Sequence, residues 1–261
     1  MRRILLSLAL VLAACGADGS GPEPDPGTPL LQIGHIGGFA PADFFLTRGP
    51  TYTLTRDGRL ISPGAVPAIF PGPLVMPHWV SQVTPGEMGQ IERMIGSIGL
   101  PDMIDERDDD NPGGVADAPT TVVTYWDDDG QAHRYSVYAL GIQPNPRREA
   151  RELQELITVI ETLAGRDATE WVAEQYQFVA LPGALDPEFS GEMDWPLEET
   201  VDTWDEINGL RCAVLGADDL PRFAEANQAT TFPSPDPAWA EVFRLAVRAL
   251  HPGETGCEVP G

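Results

Sequence analysis

Threonines alternate with larger side chains from Thr51 to Arg56. Tyr52, Leu54 and Arg56 therefore fall on one face of an extended chain, and Thr51, Thr53 and Thr55 on the other. Asp57-Gly58 follows, a pair that accepts the positive backbone angles of a tight turn, and Arg59 to Ile61 resumes the run, so the pattern predicts a β-hairpin. The stretch from Ile69 to His78 is too rich in proline to sustain a ladder or a helix and is expected to be loop. Thr84-Pro85-Gly86-Glu87 carries a capping box with proline at the first helical position. Met88, Ile91, Ile95 and Ile98 recur behind it at helical spacing, and Gly99 supplies the stop.

A second cycle follows. Thr120 to Trp126 and His133 to Leu140, joined by Asp127-Asp128-Asp129-Gly130, predict another hairpin. Asn145-Pro146 is expected to cap a helix whose Leu153, Leu156, Ile157, Ile160 and Leu163 form one apolar stripe ending at Gly165. Beyond Trp171, strands are expected near Tyr176 to Leu181 and Cys212 to Leu215, with a short helix from Asp218. The segment Trp239 to Leu250 fits two periods. Trp239, Val242, Phe243, Ala246, Val247 and Leu250 suit a helix; Phe243, Leu245, Val247 and Ala249, alternating with Arg244 and Arg248, suit a strand. The order strand, strand, helix, strand, strand, helix implies an α+β fold, antiparallel sheets with helices packed on one face, in which residues 166–261 loosely repeat residues 30–165.

The N-terminus has a different pattern. Met1-Arg2-Arg3 precedes an apolar run from Ile4 to Leu12, broken only by Ser7, and then Ala13, Ala14 and Cys15. A basic end and a short apolar core closing on small residues read as an export signal over residues 1–14. Leu12-Ala13-Ala14-Cys15 resembles the lipobox of bacterial lipoproteins, whose cysteine takes a diacylglyceryl group and becomes the mature N-terminus. That resemblance implies Cys15 as a lipid anchor, a membrane as the first partner, and an extracytoplasmic place on the cell membrane or outer membrane. Acyl chains contribute about 0.8 kcal/mol per buried methylene, enough in combination to hold a protein without a spanning helix. Residues 15–29, nearly devoid of apolar side chains after the cysteine, are expected to be a disordered tether.

Composition narrows the chemistry. All 16 basic residues are arginine, so a P-loop lysine, a Schiff-base lysine and a kinase strand lysine are excluded. A formal charge of −24 repels nucleic acid and bare anionic lipid. With Cys15 assigned to lipid, Cys212 and Cys257 remain, and in an oxidising compartment they are expected to pair.

The run Pro112-Gly113-Gly114-Val115-Ala116-Asp117-Ala118-Pro119-Thr120-Thr121, the later Ser136-Val137-Tyr138-Ala139-Leu140-Gly141, Tyr52-Thr53-Leu54 with Asp57-Gly58-Arg59, and Arg248-Ala249-Leu250-His251-Pro252 leading to Cys257 resemble a family of uncharacterised lipoproteins from high-GC bacteria. The resemblance implies a secreted α+β domain with a C-terminal disulfide, favours a strand for the ambiguous last element, and lends no activity.

Asp109, Asn111 and Asp117 fall at the first, third and ninth positions of a calcium loop, with Gly114 at the sixth for the turn, and calcium is the one cofactor they suggest. Thr120, however, stands where a calcium loop needs a bidentate glutamate, so an acidic turn without a cofactor is the expectation. No Gly-x-Ser-x-Gly elbow or His-Glu-x-x-His pair occurs, and His35, His78, His133 and His251 are far apart in sequence. With 40 acidic residues no one pair is singled out, so no catalytic residue is assigned. Trp79, in Met76-Pro77-His78-Trp79, is the candidate for a ligand or partner patch. The function these features suggest is a membrane-anchored extracytoplasmic lipoprotein. Its domain would be a non-enzymatic binding or accessory module for an envelope protein, glycan or small ligand. The alternative is a carboxylate-dependent hydrolase of the cell envelope.

Overall fold

The computed structural model describes residues 27–40, 42–100, 115–142, 146–185 and 188–257. Cys15, Asp109 and Asn111 lie outside them, as does the tether as far as residue 26. The tether's last expected residue, Pro29, instead opens the first strand. Two antiparallel sheets organise the chain, with helices on one face of the larger, which is the expected α+β class.

The larger sheet contains β1 (Pro29–Gly37), β2 (Tyr52–Thr55), β3 (Arg59–Pro63), β4 (His78–Gln82), β5 (Pro119–Trp126), β6 (Ala132–Tyr138) and β7 (Thr169–Trp171), in the order β6-β5-β1-β2-β3-β4-β7. Both expected hairpins are present, β2 with β3 and β5 with β6. β1 fills the gap between them. Its first five residues, Pro29 to Ile33, are all buried, so this stretch lacks the alternation of a half-exposed strand, and only Gly34 to Gly37 are partly or fully exposed.

Two long helices cover one face of this sheet. The first, α2 (Pro85–Ile98), follows the short α1 (Ala42–Leu46) in the chain and starts as expected. The Thr84 hydroxyl accepts from the Glu87 N–H, and the Glu87 carboxylate accepts from the Thr84 N–H at 2.9 Å. Gly99 closes it in the left-handed conformation at φ 84°. The second, α3 (Arg148–Leu163), begins later than Asn145-Pro146 suggests, with Arg147 as the cap and no side-chain capping bond. Its stripe of Leu153, Leu156, Ile157, Ile160 and Leu163 joins Ile91, Ile95 and Ile98 of α2 and Leu31, Ile33, Leu54, Leu60, Val123 and Val137 of the sheet in one core. Arg166 ties the end of α3 to the start of α2 through two bonds to Glu87, at 2.8 and 2.9 Å.

The smaller sheet contains β8 (Gln175–Pro182), β9 (Asp205–Ile207), β10 (Leu210–Gly216), β11 (Thr231–Pro233) and β12 (Val242–Ala249), in the order β11-β12-β8-β10-β9. The ambiguous Trp239 to Leu250 segment is therefore a strand over Val242–Ala249, as the resemblance favours. Phe243, Leu245, Val247 and Ala249 enter a core with Phe178, Phe223, Phe232 and Trp204. Among the described residues this half has no α-helix: the element expected from Asp218 is a 3-10 helix, Ala217–Phe223, and the loose repeat extends to the strands alone.

The halves meet on the side of the large sheet away from α2 and α3. Strand pairing puts Gln32, Thr53, Ile61, His78 and Trp171 on that side. The chain leaving β12 lies against them: Gln32 donates to the Pro252 carbonyl at 2.9 Å, and Thr53 bonds the His251 ring at 2.8 Å.

Candidate functional site

The alternation that makes β12 a strand also builds the site. With its odd-numbered residues committed to the aromatic core, Arg244, Ala246 and Arg248 must face the other way. They share that face with Val179, Leu181 and Cys212, and α1 packs across it. Opposite stands the open face of the large sheet, with Gln32, Val122, Thr124 and Arg134. Between them runs a cleft of two adjoining cavities, of about 420 and 430 Å³, which share Phe44 and Arg48. Each falls in the size range of small-ligand sites, ~300–1,000 Å³.

The first cavity is apolar. Phe44 of α1, Val66, Ile69, Phe70 and Met76 of the proline-rich loop, and Leu185 line it. Several of these are unusually open for apolar side chains: Ile69 is 71% exposed, Phe70 54%, and Phe70 meets Phe189 edge to face at 5.3 Å. Gathered on one surface, they form an apolar patch rather than scattered exposed residues. The second cavity is polar, lined by Gln32, Thr51, Thr124, Arg134, Arg248 and Glu254. Gly49 sits at its back because a Cβ there would lie 3.3 Å from the Arg248 guanidinium.

The wall of the polar cavity is the C-terminal tail, and three contacts fix it. Arg248, buried on β12, pairs with Glu254 at 2.7 Å and bonds Gln177 at 3.1 Å. The Gln177 oxygen also accepts the Cys257 N–H at 2.9 Å. Cys257 is disulfide-bonded to Cys212 of β10 across 45 residues, the expected pair. Gly256 lets the chain pass, at φ 75°, where a Cβ would meet Val214 at 2.6 Å.

Across both linings stand four arginines, Arg48, Arg134, Arg244 and Arg248, against one carboxylate, Glu254. In a chain with 40 acidic and 16 basic residues this reverses the local sign. Glu254 is already engaged by Arg248 and by the His251 N–H at 2.8 Å. Arg48 has no carboxylate partner among the described residues; its guanidinium stacks 4.3 Å above the Phe44 ring.

Beside the cleft, in the seam between the sheets, His78, Trp171 and His251 pack edge to face, with ring centroids 4.9 to 5.8 Å apart. Burial, then His78, then Arg248 hold the His251 ring well below its ordinary titration range. Burial also lowers His78, opposed by a hydrogen bond to the Met76 carbonyl. One nitrogen of His251 is bonded to Thr53, and its Nε2 has no hydrogen-bond partner among the described residues.

Sequence reasoning offered Trp79 as a candidate for a ligand or partner patch, and Trp79 lines neither of these two cavities. Its ring is packed over Gly64, where a Cβ would lie 2.7 Å from Nε1, while Met76 of the same run does line the apolar cavity. Asp117 is exposed and left-handed at φ 58°, at the entry to β5, and no cluster of three or more metal-binding groups occurs among the described residues. The missed residues are Phe44, Arg48, Ile69, Phe70 and Arg244. Their signal was present in the large apolar side chains of a proline-rich loop and in two arginines in the polar phase of an otherwise apolar strand. Comparisons with protein-family models, curated proteins and solved structures find no match for this chain.

Proposed function

We propose that this protein is a lipid-anchored extracytoplasmic binding module whose ligand occupies the two-lobed cleft between its sheets. The cleft itself carries the reading: an open apolar lobe and a cationic polar lobe share a wall in a chain that is otherwise strongly acidic. Burying apolar ligand surface there contributes about 25 cal/mol per Å² removed from water, and few polar groups are needed to set orientation. The lipobox resemblance at Leu12 to Cys15 supports anchoring, and the Cys212 to Cys257 disulfide suits an oxidising compartment.

Two experiments test the reading. Labelled palmitate should enter the wild-type chain expressed in bacteria and not the Cys15→Ala variant; equal labelling would refute the anchor. The neutral dye Nile red should bind the folded domain, Ile69→Asp should abolish binding, and Val172→Asp, at an exposed apolar residue in neither lining, should leave it intact. Dye binding indifferent to Ile69→Asp would remove the cleft as the site.

A further inference from the structure

We infer that the cleft takes an amphiphilic carboxylate, an acyl chain ending in an anionic head, with its tail among Phe44, Ile69, Phe70 and Leu185 and its head at Arg48. The inference rests on the binding-module reading and deepens it by naming the ligand class. Three observations carry it. The apolar lobe is lined mainly by apolar side chains, with Arg48, Thr47, Gln228 and Arg244 as its polar members, which suits a flexible chain with one polar end more than a compact ligand with many polar groups. Arg48 lies in the lining of both lobes, so a group bound to it stands where the tail would leave the apolar lobe. Its guanidinium is held on Phe44 rather than on a carboxylate, leaving its hydrogen-bonding edge for a planar anion in a bidentate fork.

Charge selects the sign of the head. A ligand cation would meet the Arg48 guanidinium, which has no carboxylate partner among the described residues, whereas a carboxylate would meet in the lining only Glu254, already engaged by Arg248. The acidic remainder of the surface repels free anions at long range, so selectivity comes from the cleft and is steepest where water is displaced.

Isothermal titration with dodecanoate below its micellar range, at pH 8, tests this on the full chain without detergent. Dodecanoate should bind, and dodecyltrimethylammonium should bind at least tenfold more weakly. Each methylene removed from the chain should weaken binding about fourfold, the equivalent of ~0.8 kcal/mol per buried methylene. Arg48→Gln should lower dodecanoate affinity tenfold or more and leave dodecanol within twofold, while Arg48→Lys recovers part of the loss. Ile69→Asp should weaken both ligands. Arg48 and Ile69 are exposed, so these variants keep the fold, which the urea midpoint checks. The inference is overturned by absence of dodecanoate binding, by equal binding of the cationic amphiphile, or by indifference to Arg48→Gln. A domain that binds Nile red but not dodecanoate would lose the anionic ligand and keep the cleft; one that binds neither would lose both.

Discussion

Mild acid is expected to destabilise this fold through His251. The ring is 2% exposed, and its two nitrogens face one hydroxyl, on Thr53, and no second partner among the described residues. Protonation makes both nitrogens donors, in a seam that also holds His78 and the Arg248 guanidinium. The folded ring therefore refuses a proton that the unfolded ring accepts at its ordinary value of 6.5. Stability is full above that value and falls as pH drops below it, until the folded ring itself titrates. One such group gives a limiting slope of about 1.4 kcal/mol per pH unit, and the loss between pH 7.5 and 5.5 is about 1.4 kcal/mol.

At a urea m-value of roughly 2 to 3 kcal/mol/M this corresponds to a midpoint lower by roughly 0.5 M. His78 and His35, both lowered first by burial, steepen the same window. Glu87, held at about 2 by hydrogen bonds from Arg166 and then Thr84, and Asp127, lowered first by its bond to His133, lose their contributions only as pH falls further, through their folded values. The assay is urea unfolding at a series of pH values for the wild type and His251→Asn. The variant is less stable throughout, but the informative quantity is the slope, which should lose about one proton per molecule. Identical slopes for the two proteins would refute the assignment.

Three further outcomes follow from local contacts. Cys212→Ala with Cys257→Ala should lower stability by about 4 kcal/mol in the chain-entropy model for a 45-residue loop, measured by urea unfolding; a change under ~1 kcal/mol would mean the tail is held by Arg248 and Gln177 alone. Thr84→Ala removes one half of the capping box of α2 and should cost about 1 kcal/mol, read as a lower melting temperature, with Thr84→Ser recovering most of it. Melting in millimolar calcium and in chelator should coincide, and a calcium-dependent rise lost in Asp117→Ala would make the Asp109 to Asp117 loop a metal site.

The helices and hairpins were legible because local chemistry decides them. The reciprocal bonds of Thr84 and Glu87, the Asp57-Gly58 turn and the 3.6-residue stripe of α3 each depend on residues close in sequence. β1, β4 and β7 were not, because their pairing partners are distant and their burial is set by what later packs on them. His78 and Trp171 look like loop residues until β4 and β7 align them. α3 being capped at Arg147 rather than at Asn145 has the same lesson: a good capping residue is a preference, and tertiary packing of the apolar stripe outweighs it. The cleft was the least legible feature, since no segment contains it. It needs the polar phase of β12, the loop before β4 and the short α1 to converge.

The tail binds these observations together. The polar lobe depends on residues 253–256, which are fixed by Arg248 with Glu254, by Gln177 and by the disulfide to β10. The apolar lobe uses α1, the 66–76 loop, Leu185 and β12, and α1 also borders the tail, its Leu46 packing in one cluster with Cys212 and Cys257. The lobes therefore meet at α1, while the 66–76 loop and Leu185 line the apolar lobe alone. In Cys257→Ala the Arg248 to Glu254 pair loses the crosslink that holds the tail against β10, and the wall loosens while the 66–76 loop and Leu185 keep their place in the apolar lobe. Nile red affinity should then stay within about twofold of wild type, whereas dodecanoate, whose head lies at the junction, should weaken severalfold. Parallel loss of both would show that the disulfide supports the whole junction of the sheets, and the two lobes would have to be treated as one site.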